Sequence, residues 1–305
     1  MATRRHVLST LGLTTAAVFL PGIASPKSPE IKNEFRFCLN TSTISGQKLS
    51  ITQYIDIASR AGYDGIELWI NDLKSYLNSG QTVASLKKCL DDNHIKFENA
   101  IGFAPWLADG DAGFKEIKED MELLAKLGCQ RIAASPAGLS EYKPLDLFKA
   151  GERFRKLIEL GRQSGVMPQL EFWGGSKTFW HIGQAFMIAA VADDPDARIL
   201  ADLFHMYIGD SGFDTLKMVN GQLFEIFHIN DYIASIPKSK QVDANRVYPG
   251  DGAAPLRQIL TNLKNSGGIK VLSLELFNPS YWKEDPFGVA HTGLQKMTKL
   301  VGTLV

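Results

Sequence analysis

Four short apolar runs constrain this chain more than any other feature, because each ends on a residue able to hold a cation. Ile199-Leu200-Ala201 ends at Asp202, between the turn clusters Asp193-Asp194-Pro195-Asp196 and Gly209-Asp210-Ser211-Gly212. A short apolar run bounded by turns reads as a strand buried on both faces, as in a parallel sheet. Pro168-Gln169-Leu170 ends at Glu171, Phe224-Glu225-Ile226-Phe227 at His228, and Val271-Leu272-Ser273-Leu274 at Glu275. The C-terminal strand ends are where α/β barrels keep their chemistry. Four strands delivering Glu, Asp, His and Glu to one rim predict a divalent-metal site.

The rest of the chain fits around those runs. Strand-like segments fall at 35–39, 65–70, 95–101, 131–134, 166–171, 199–202, 223–228 and 270–275. Helix-like segments lie between and after them, at 51–61, 83–93, 114–127, 147–164, 182–192, 216–219, 255–266 and 288–304. Eight such pairs predict an α/β fold, a (β/α)8 TIM barrel over 35–305. Three helix-to-strand junctions share a form, with Gly62, Gly128 and Gly165 stopping a helix just before the next strand. The longest irregular stretch, 231–254, is long enough to be functional.

The first residues stand apart. Thr3-Arg4-Arg5-His6-Val7-Leu8 is a twin-arginine pattern ahead of an apolar run from Leu11 to Leu20 and the small residues Gly22 and Ala24. This is the layout of a cleaved export signal over 1–24, followed by a linker over 25–34. The run is shorter than the ~20 residues of a membrane span, so no membrane association is expected after cleavage. The expected location is the periplasm, or another exported compartment reached by the twin-arginine route. Lysine plus arginine equals aspartate plus glutamate at 33 each, which argues against non-specific polyanion binding. Cys38, Cys89 and Cys129 match no zinc spacing, and nothing selects a disulfide among them.

Carboxylates with one imidazole suit Mn²⁺, Mg²⁺, Co²⁺ or Zn²⁺ better than a soft metal, and Glu171, Asp202, His228 and Glu275 are the expected ligands. Carboxylates converging on one rim repel each other and raise their pKa values until a dication joins them. His205 lies three residues past Asp202, either facing substrate or capping a helix. Asp231, three past His228, either fixes that imidazole's tautomer or is a solvated loop residue. Arg246, before the Pro249-Gly250 turn, either comes back over the rim to bind hydroxyl or carboxylate oxygens or is a surface arginine beside a tight turn. Glu67, inside the second strand, either reaches substrate from the barrel interior or is a buried hydrogen-bond partner. Trp69, Trp106, Trp173 and Trp180 fall near strand ends, where a ring either stacks on a sugar or packs a helix, and Trp106 is grouped with the substrate contacts.

The pattern resembles the xylose isomerase-like barrel family of sugar isomerases and epimerases, over about residues 35–303. The resemblance rests on Gly62-Tyr-Asp-Gly-Ile-Glu-Leu68, Leu170-Glu171, Asp202-Leu-Phe-His205, Phe227-His228-Ile-Asn-Asp231, Arg246-Val-Tyr-Pro-Gly-Asp-Gly252 and Leu274-Glu275-Leu276. It implies one divalent metal at Glu171, Asp202, His228 and Glu275, proton exchange by Glu171 and Glu275, and substrate binding by His205 and Arg246. The implied activity is isomerisation or epimerisation of a small sugar or keto-sugar through an enediolate. The sugar is expected to be non-phosphorylated, since no Gly-rich phosphate cradle is visible. The alternatives are β-elimination from a keto-sugar or keto-glycoside and a non-catalytic sugar-binding barrel. A homo-oligomer is compatible with the sequence. DNA repair, found elsewhere in the family, is not expected: the second and third strands end in Leu68-Trp69-Ile70 and Ala100-Ile101-Gly102, without the histidines that hold further zinc there. Phe172-Trp173-Gly174-Gly175 also stands where epimerases commonly carry other polar residues.

Replacing Arg4 and Arg5 by lysine is expected to strand full-length precursor in the cytoplasm. Cell fractionation checks this, and unchanged export in the double variant refutes the twin-arginine assignment.

Overall fold

The structure is a computed structural model describing residues 35–140 and 143–304. The leader assigned to 1–24 and the linker at 25–34 lie outside the described residues. Eight parallel strands close in sequence order into a barrel: β1 (Phe35–Asn40), β2 (Gly65–Trp69), β3 (Lys96–Ile101), β4 (Arg131–Ala134), β5 (Met167–Glu171), β6 (Ile199–Asp202), β7 (Ile226–Ile229) and β8 (Lys270–Leu274). The helices are α1 (Ile51–Ala61), α2 (Ile70–Asn78), α3 (Val83–Asp92), α4 (Ala112–Leu127), α5 (Leu147–Ser164), α6 (Ile182–Ala192), α7 (Leu203–Ile208), α8 (Leu256–Asn265) and α9 (Pro286–Val301). The architecture is the expected (β/α)8 TIM barrel. No helix among the described residues is long and apolar enough to cross a membrane.

Local signals set the element ends. Ser50 and Gln53 cap the start of α1 reciprocally, each side chain accepting from the other's backbone N–H. At the ends of α1 and α4, Gly62 and Gly128 take positive φ (95° and 79°). The N–H groups of Tyr63 and Cys129 then reach back to the carbonyls of Ala58 and Leu124, which frees the chain to enter the next strand at once. Gly165 ends α5 in the same left-handed conformation.

Two apolar layers follow from the alternation of strand side chains. A small inner cluster of Cys38, Ile101, Ala133, Leu200, Ile226 and Val271 fills the barrel. A much larger one lies between the sheet and the helices. At the N-terminal rim, buried Glu98 pairs with Arg131, Lys96 and Arg36, and Glu225 pairs with Arg131 and Arg198, tying β1, β3, β4 and the segments before β6 and β7. That face carries stability in such barrels, and the opposite face carries function. All three cysteines are free.

Three differences from the sequence reading concern boundaries. The second strand stops at Trp69, and Ile70 opens α2, a helix absent from the sequence reading. Ile70 and Leu73 bury one face of it. The helix expected at 216–219 is a 3₁₀ turn, Phe213–Lys217. The seventh strand starts three residues late, at Ile226, because Gly221–Leu223 forms another 3₁₀ turn.

Candidate active site

Strand register brings the expected residues to one rim. Asp202 pairs with His228 and His228 with Ser273 across β6, β7 and β8, while Asn40 pairs with Glu67 across β1 and β2. Glu171 ends β5, and Glu275 lies one residue past β8. Glu171, Asp202, His228 and Glu275 are all buried. Asp202, His228 and Glu275 each offer a ligand atom, and those atoms lie within 4.8 Å of one another. Glu171 is outside that tight group but close enough to feel the charges of His228, Glu275 and Asp202.

The imidazole of His228 has two different sides. Nε2 lies 3.0 and 3.3 Å from the two oxygens of Glu67, which assigns its proton to that nitrogen. Nδ1 faces Glu275 Oε2 at 3.1 Å and Asp202 Oδ2 at 3.9 Å, yet no hydrogen bond forms at it. The distance to Glu275 is short enough for one, but the alignment is not. A buried imidazole nitrogen with no hydrogen-bond partner, facing two carboxylates, is the donor set a divalent ion takes once it displaces the proton those carboxylates hold there, so these residues fit the expected metal.

Glu67 therefore sits behind the histidine and not against substrate. It is fully buried and accepts from Asn99 Nδ2 (2.8 Å), Asn40 Nδ2 (3.0 Å) and Ser273 Oγ as well as from His228. Burial alone raises its pKa, but His228 and the side-chain donors win and hold it ionised. Asp231 does not touch His228, which corrects its expected role. Its oxygens accept from the backbone N–H groups of Tyr232, Gly250, Gly252 and Ala254 at 2.8–3.1 Å. A Cβ on Gly252 would lie 2.3 Å from Asp231 Oδ1, so glycine permits the approach. Asp231 thus folds the loop that carries Arg246.

Arg246 is buried, and its Nη1 donates to Asp202 Oδ2 (2.7 Å) and Glu275 Oε2 (2.8 Å), the same oxygens that face His228. Its Nη2 lies 3.3 Å from His205 Nε2 and 2.7 Å from Asp243 Oδ1. Asp202 is split between two tasks: Oδ1 caps α7 by accepting from His205 N (2.7 Å), and Oδ2 serves the site. The three-residue spacing of Asp202 and His205 is the spacing of that cap. Burial, reinforced by the charge of Arg246, keeps His205 below the usual histidine range against the pull of Asp202, so it accepts from Arg246.

The carboxylates diverge. Burial pushes Glu171 up to about 8, with Glu275, Asp202 and Glu67 adding to the rise against His228. Burial also opposes ionisation of Glu275, but His228 and Arg246 overcome it and hold its carboxyl below the usual range. His228 is raised well above the usual histidine value: its burial works against the charge, and Glu275 and Glu67 outweigh it.

A cavity of about 580 Å³ opens over this rim, with His205, Arg246 and Glu275 among its lining residues. Trp69 and Trp173 also line it. Trp106 does not. It is fully buried, donates from Nε1 to Ser135 O (2.8 Å) and packs on Phe154 with centroids 5.9 Å apart. Its expected substrate contact gives way to core packing, because the chain after β3 turns the indole inward. Sequence reasoning missed Asn40, whose Nδ2 bridges Glu67 Oε2 and Glu275 Oε1, both at 3.0 Å. The polar run Asn40-Thr41-Ser42 at the end of an apolar strand is the signal used on β5 to β8, left unused on β1. Asn230, donating to Asp202 Oδ2 at 2.9 Å, was also missed.

The xylose isomerase-like TIM barrel family model matches residues 55–300. Inosose isomerase of Bacillus velezensis is 30% identical over 259 residues, spanning 81% of this chain and 90% of that protein. A 3-dehydroshikimate dehydratase of Pseudomonas aeruginosa is 24% identical over 272 residues, 85% of this chain but 41% of that longer protein. Among solved structures, the IolI protein with a bound zinc atom superposes with a TM-score of 0.80 at 24% identity, covering 88% of this chain and 99% of that one. D-psicose 3-epimerase in the presence of D-fructose gives 0.68 at 17% identity, covering 88% and 99%. At these identities the two structures establish the fold.

Two outcomes follow from the geometry. Glu67→Gln is expected to weaken divalent-metal binding by about 10–100-fold, because the partner that orients His228 is lost. Asp231→Asn leaves that affinity within a few-fold while loosening the loop, and calorimetric titration with Mn²⁺ separates the two. The reverse order overturns the assignment. The second outcome concerns Glu171, whose folded pKa of about 8 exceeds its ordinary 4.5. The folded state holds that proton more tightly, so its contribution to stability declines as pH rises from about 4.5 to 8. Chelator-treated protein should lose up to ~5 kcal/mol across that window, an upper figure at ~1.4 kcal/mol per pKa unit. Glu171→Gln should flatten the decline in chemical-denaturation curves, and an unchanged slope removes Glu171 as its source.

Proposed function

The chain belongs to the xylose isomerase-like TIM barrel family, and from that premise we propose that it is a divalent-metal-dependent isomerase or epimerase acting on a small non-phosphorylated carbohydrate or keto-sugar. The observation that carries the reading is the convergence of Asp202, His228 and Glu275, with ligand atoms within 4.8 Å and a His228 Nδ1 that has no hydrogen-bond partner. Glu171 completes the proposed ligand set from the neighbouring strand. The inosose isomerase relatives, named for a keto-cyclitol, support this substrate class.

Bound among these residues, a dication would polarise a substrate carbonyl and acidify the adjacent C–H. The chain's own groups divide the proton work. Glu275 is held ionised by His228 and Arg246, so it is the base that takes the proton from carbon. Glu171, which burial raises while no cation is beside it, would ionise as a ligand and exchange a proton with solvent, returning one to the other face or the neighbouring carbon. Arg246 and neutral His205 line the cavity and hold the substrate oxygens that gain negative charge. Asn40 fixes the Glu275 carboxylate through Oε1, leaving Oε2 toward the reacting side.

The same proton abstraction permits β-elimination, and the 3-dehydroshikimate dehydratase relative favours that as the second reading. Glu171 would then protonate the departing hydroxyl. A sugar-binding barrel without turnover is the third outcome. Export through Arg4 and Arg5 would place the reaction in the periplasm.

Incubation of Mn²⁺-loaded protein with inosose and free hexoses in deuterium oxide tests the proposal. Deuterium gained at carbon without loss of water supports isomerisation, release of water indicates elimination, and binding without either indicates a binding protein. Glu275→Gln should keep its metal and lose about 10²–10⁴-fold in exchange rate. Wild-type exchange at full metal occupancy removes Glu275 from the proton transfer.

A further inference from the structure

The cavity is divided by the topology of the barrel. His205, Asp243, Arg246 and Glu275 line it from the segments after β6, β7 and β8. On the side of β2 to β5 it is lined by Trp69, Ile101, Phe103, Pro136, Leu139 and Trp173, with the polar Ser176, Lys177 and Thr178 following after β5. Three of those residues form a connected aromatic surface. Trp69 and Phe103 have centroids 5.3 Å apart, and Phe103 and Trp173 are 6.2 Å apart. Phe277 joins the halves, 6.2 Å from Trp69 on one side and 5.2 Å from the Arg246 guanidinium carbon on the other. Phe103 remains 38% exposed, an unusual state for a phenylalanine wedged among other rings.

The volume exceeds what the polar half needs. Granting each heavy atom of a six-carbon sugar the ~30 Å³ of a liquid water, a generous allowance, such a ligand still leaves roughly a third of the 580 Å³ unfilled. A cyclitol or hexose seated on Glu275 and Arg246 has hydroxyls on every carbon, and buried hydroxyls facing Ile101, Phe103 and Leu139 would lose water without gaining partners. A flat apolar ring has no such cost there and gains tilted or edge contacts with two aromatic side chains.

We propose that the β2–β5 side of the cavity is a second subsite, built for an aromatic ring attached to the carbohydrate held in the polar half. The inference rests on the carbohydrate reading of the polar half and specifies the substrate class as a sugar or cyclitol bearing an aromatic substituent. Trp69 and Phe103 form the ring's floor, and Trp173 closes the far end. Trp69 also donates from Nε1 to Asn40 Oδ1 at 3.2 Å, and Asn40 holds Glu275. The subsite is thereby fixed in distance from the base.

Titration of Mn²⁺-loaded protein with phenyl β-D-glucopyranoside and with methyl β-D-glucopyranoside, followed by calorimetry, tests the subsite. The two ligands share a sugar and differ only in the ring. The phenyl glycoside is expected to bind at least tenfold more tightly. Phe103→Ala, a half-exposed position at which folding should survive, and Trp173→Leu should each cut that advantage several-fold, with thermal melts reporting on the fold. Phenol alone should bind weakly and lower the apparent affinity for the phenyl glycoside only. Equal affinities, an advantage that survives both substitutions, or failure of both glycosides and of phenol to bind overturns the subsite. Deuterium exchange on inosose is read in parallel. Exchange with equal glycoside affinities sinks the subsite and leaves the isomerase reading standing, and a phenyl advantage without exchange does the opposite.

Discussion

The rim of this barrel depends on an imbalance of buried charge. Glu67, Glu171, Asp202 and Glu275 are buried at one mouth, against the two cationic side chains His228 and Arg246. Removing a carboxylate from water costs several kcal/mol even after relaxation, so such a group stays ionised only with close partners. Glu67 has four donors, and Asp202 and Glu275 share Arg246 and His228. Glu171 has no hydrogen-bond donor among the described residues, and it is the one that burial drives toward neutrality. One more positive charge at the mouth would settle all four, which is why the constellation reads as a cation site and not as a salt-bridge cluster.

That imbalance is tolerable because His228 is pinned. With its Nε2 proton committed to Glu67, the ring cannot turn, and Nδ1 stays aimed between Asp202 and Glu275. The pin reaches further through Asn40, which holds one oxygen of Glu67 and one of Glu275 at equal distance. Ser273, beside His228 in the β7–β8 register, adds a donor to Glu67 from below. The candidate ligands His228 and Glu275 are thus set by interior side chains of β1, β2, β3 and β8, none of which reaches the cavity.

How much of this was legible follows from the kind of signal each residue leaves. Strand ends are legible because an apolar run stopping at a charged residue shows in one dimension, and Glu171, Asp202, His228 and Glu275 all sit where that signal places them. Partners of the second rank are not, because they are chosen by register between strands far apart in sequence. The sequence leaves Glu67 open between substrate and a buried hydrogen-bond partner, and the closed barrel decides for the second by setting it beside His228 across its interior, 161 residues away. Asp231, only three residues from His228, lies beyond the end of β7 and turns to the backbone of the following loop. Trp106 shows the same limit: proximity to a strand end fixes where the backbone is and leaves open which way an indole turns. The missed helix α2 had a buried face written only in Ile70 and Leu73, too little periodicity to outweigh its polar residues.

The loop from Asp231 to Ala254 is where fold and chemistry are most tightly joined. A side chain as long as Arg246 could reach many points over the rim, so its aim must come from the backbone that carries it. Asp231 gathers four backbone N–H groups at 232, 250, 252 and 254, and the main chains of Asp231 and Val247 pair at 2.9 and 3.0 Å. Asn278, beyond β8, donates to the carbonyl of Arg246 itself at 3.0 Å. Asp243 takes the outer face of the guanidinium, and Phe204 and Phe277 lie over it at 5.0 and 5.2 Å. Arg246 is therefore placed by contacts from the segments after β6, β7 and β8 before it meets either carboxylate. A residue that does not line the cavity, Asp231, governs the position of one that does.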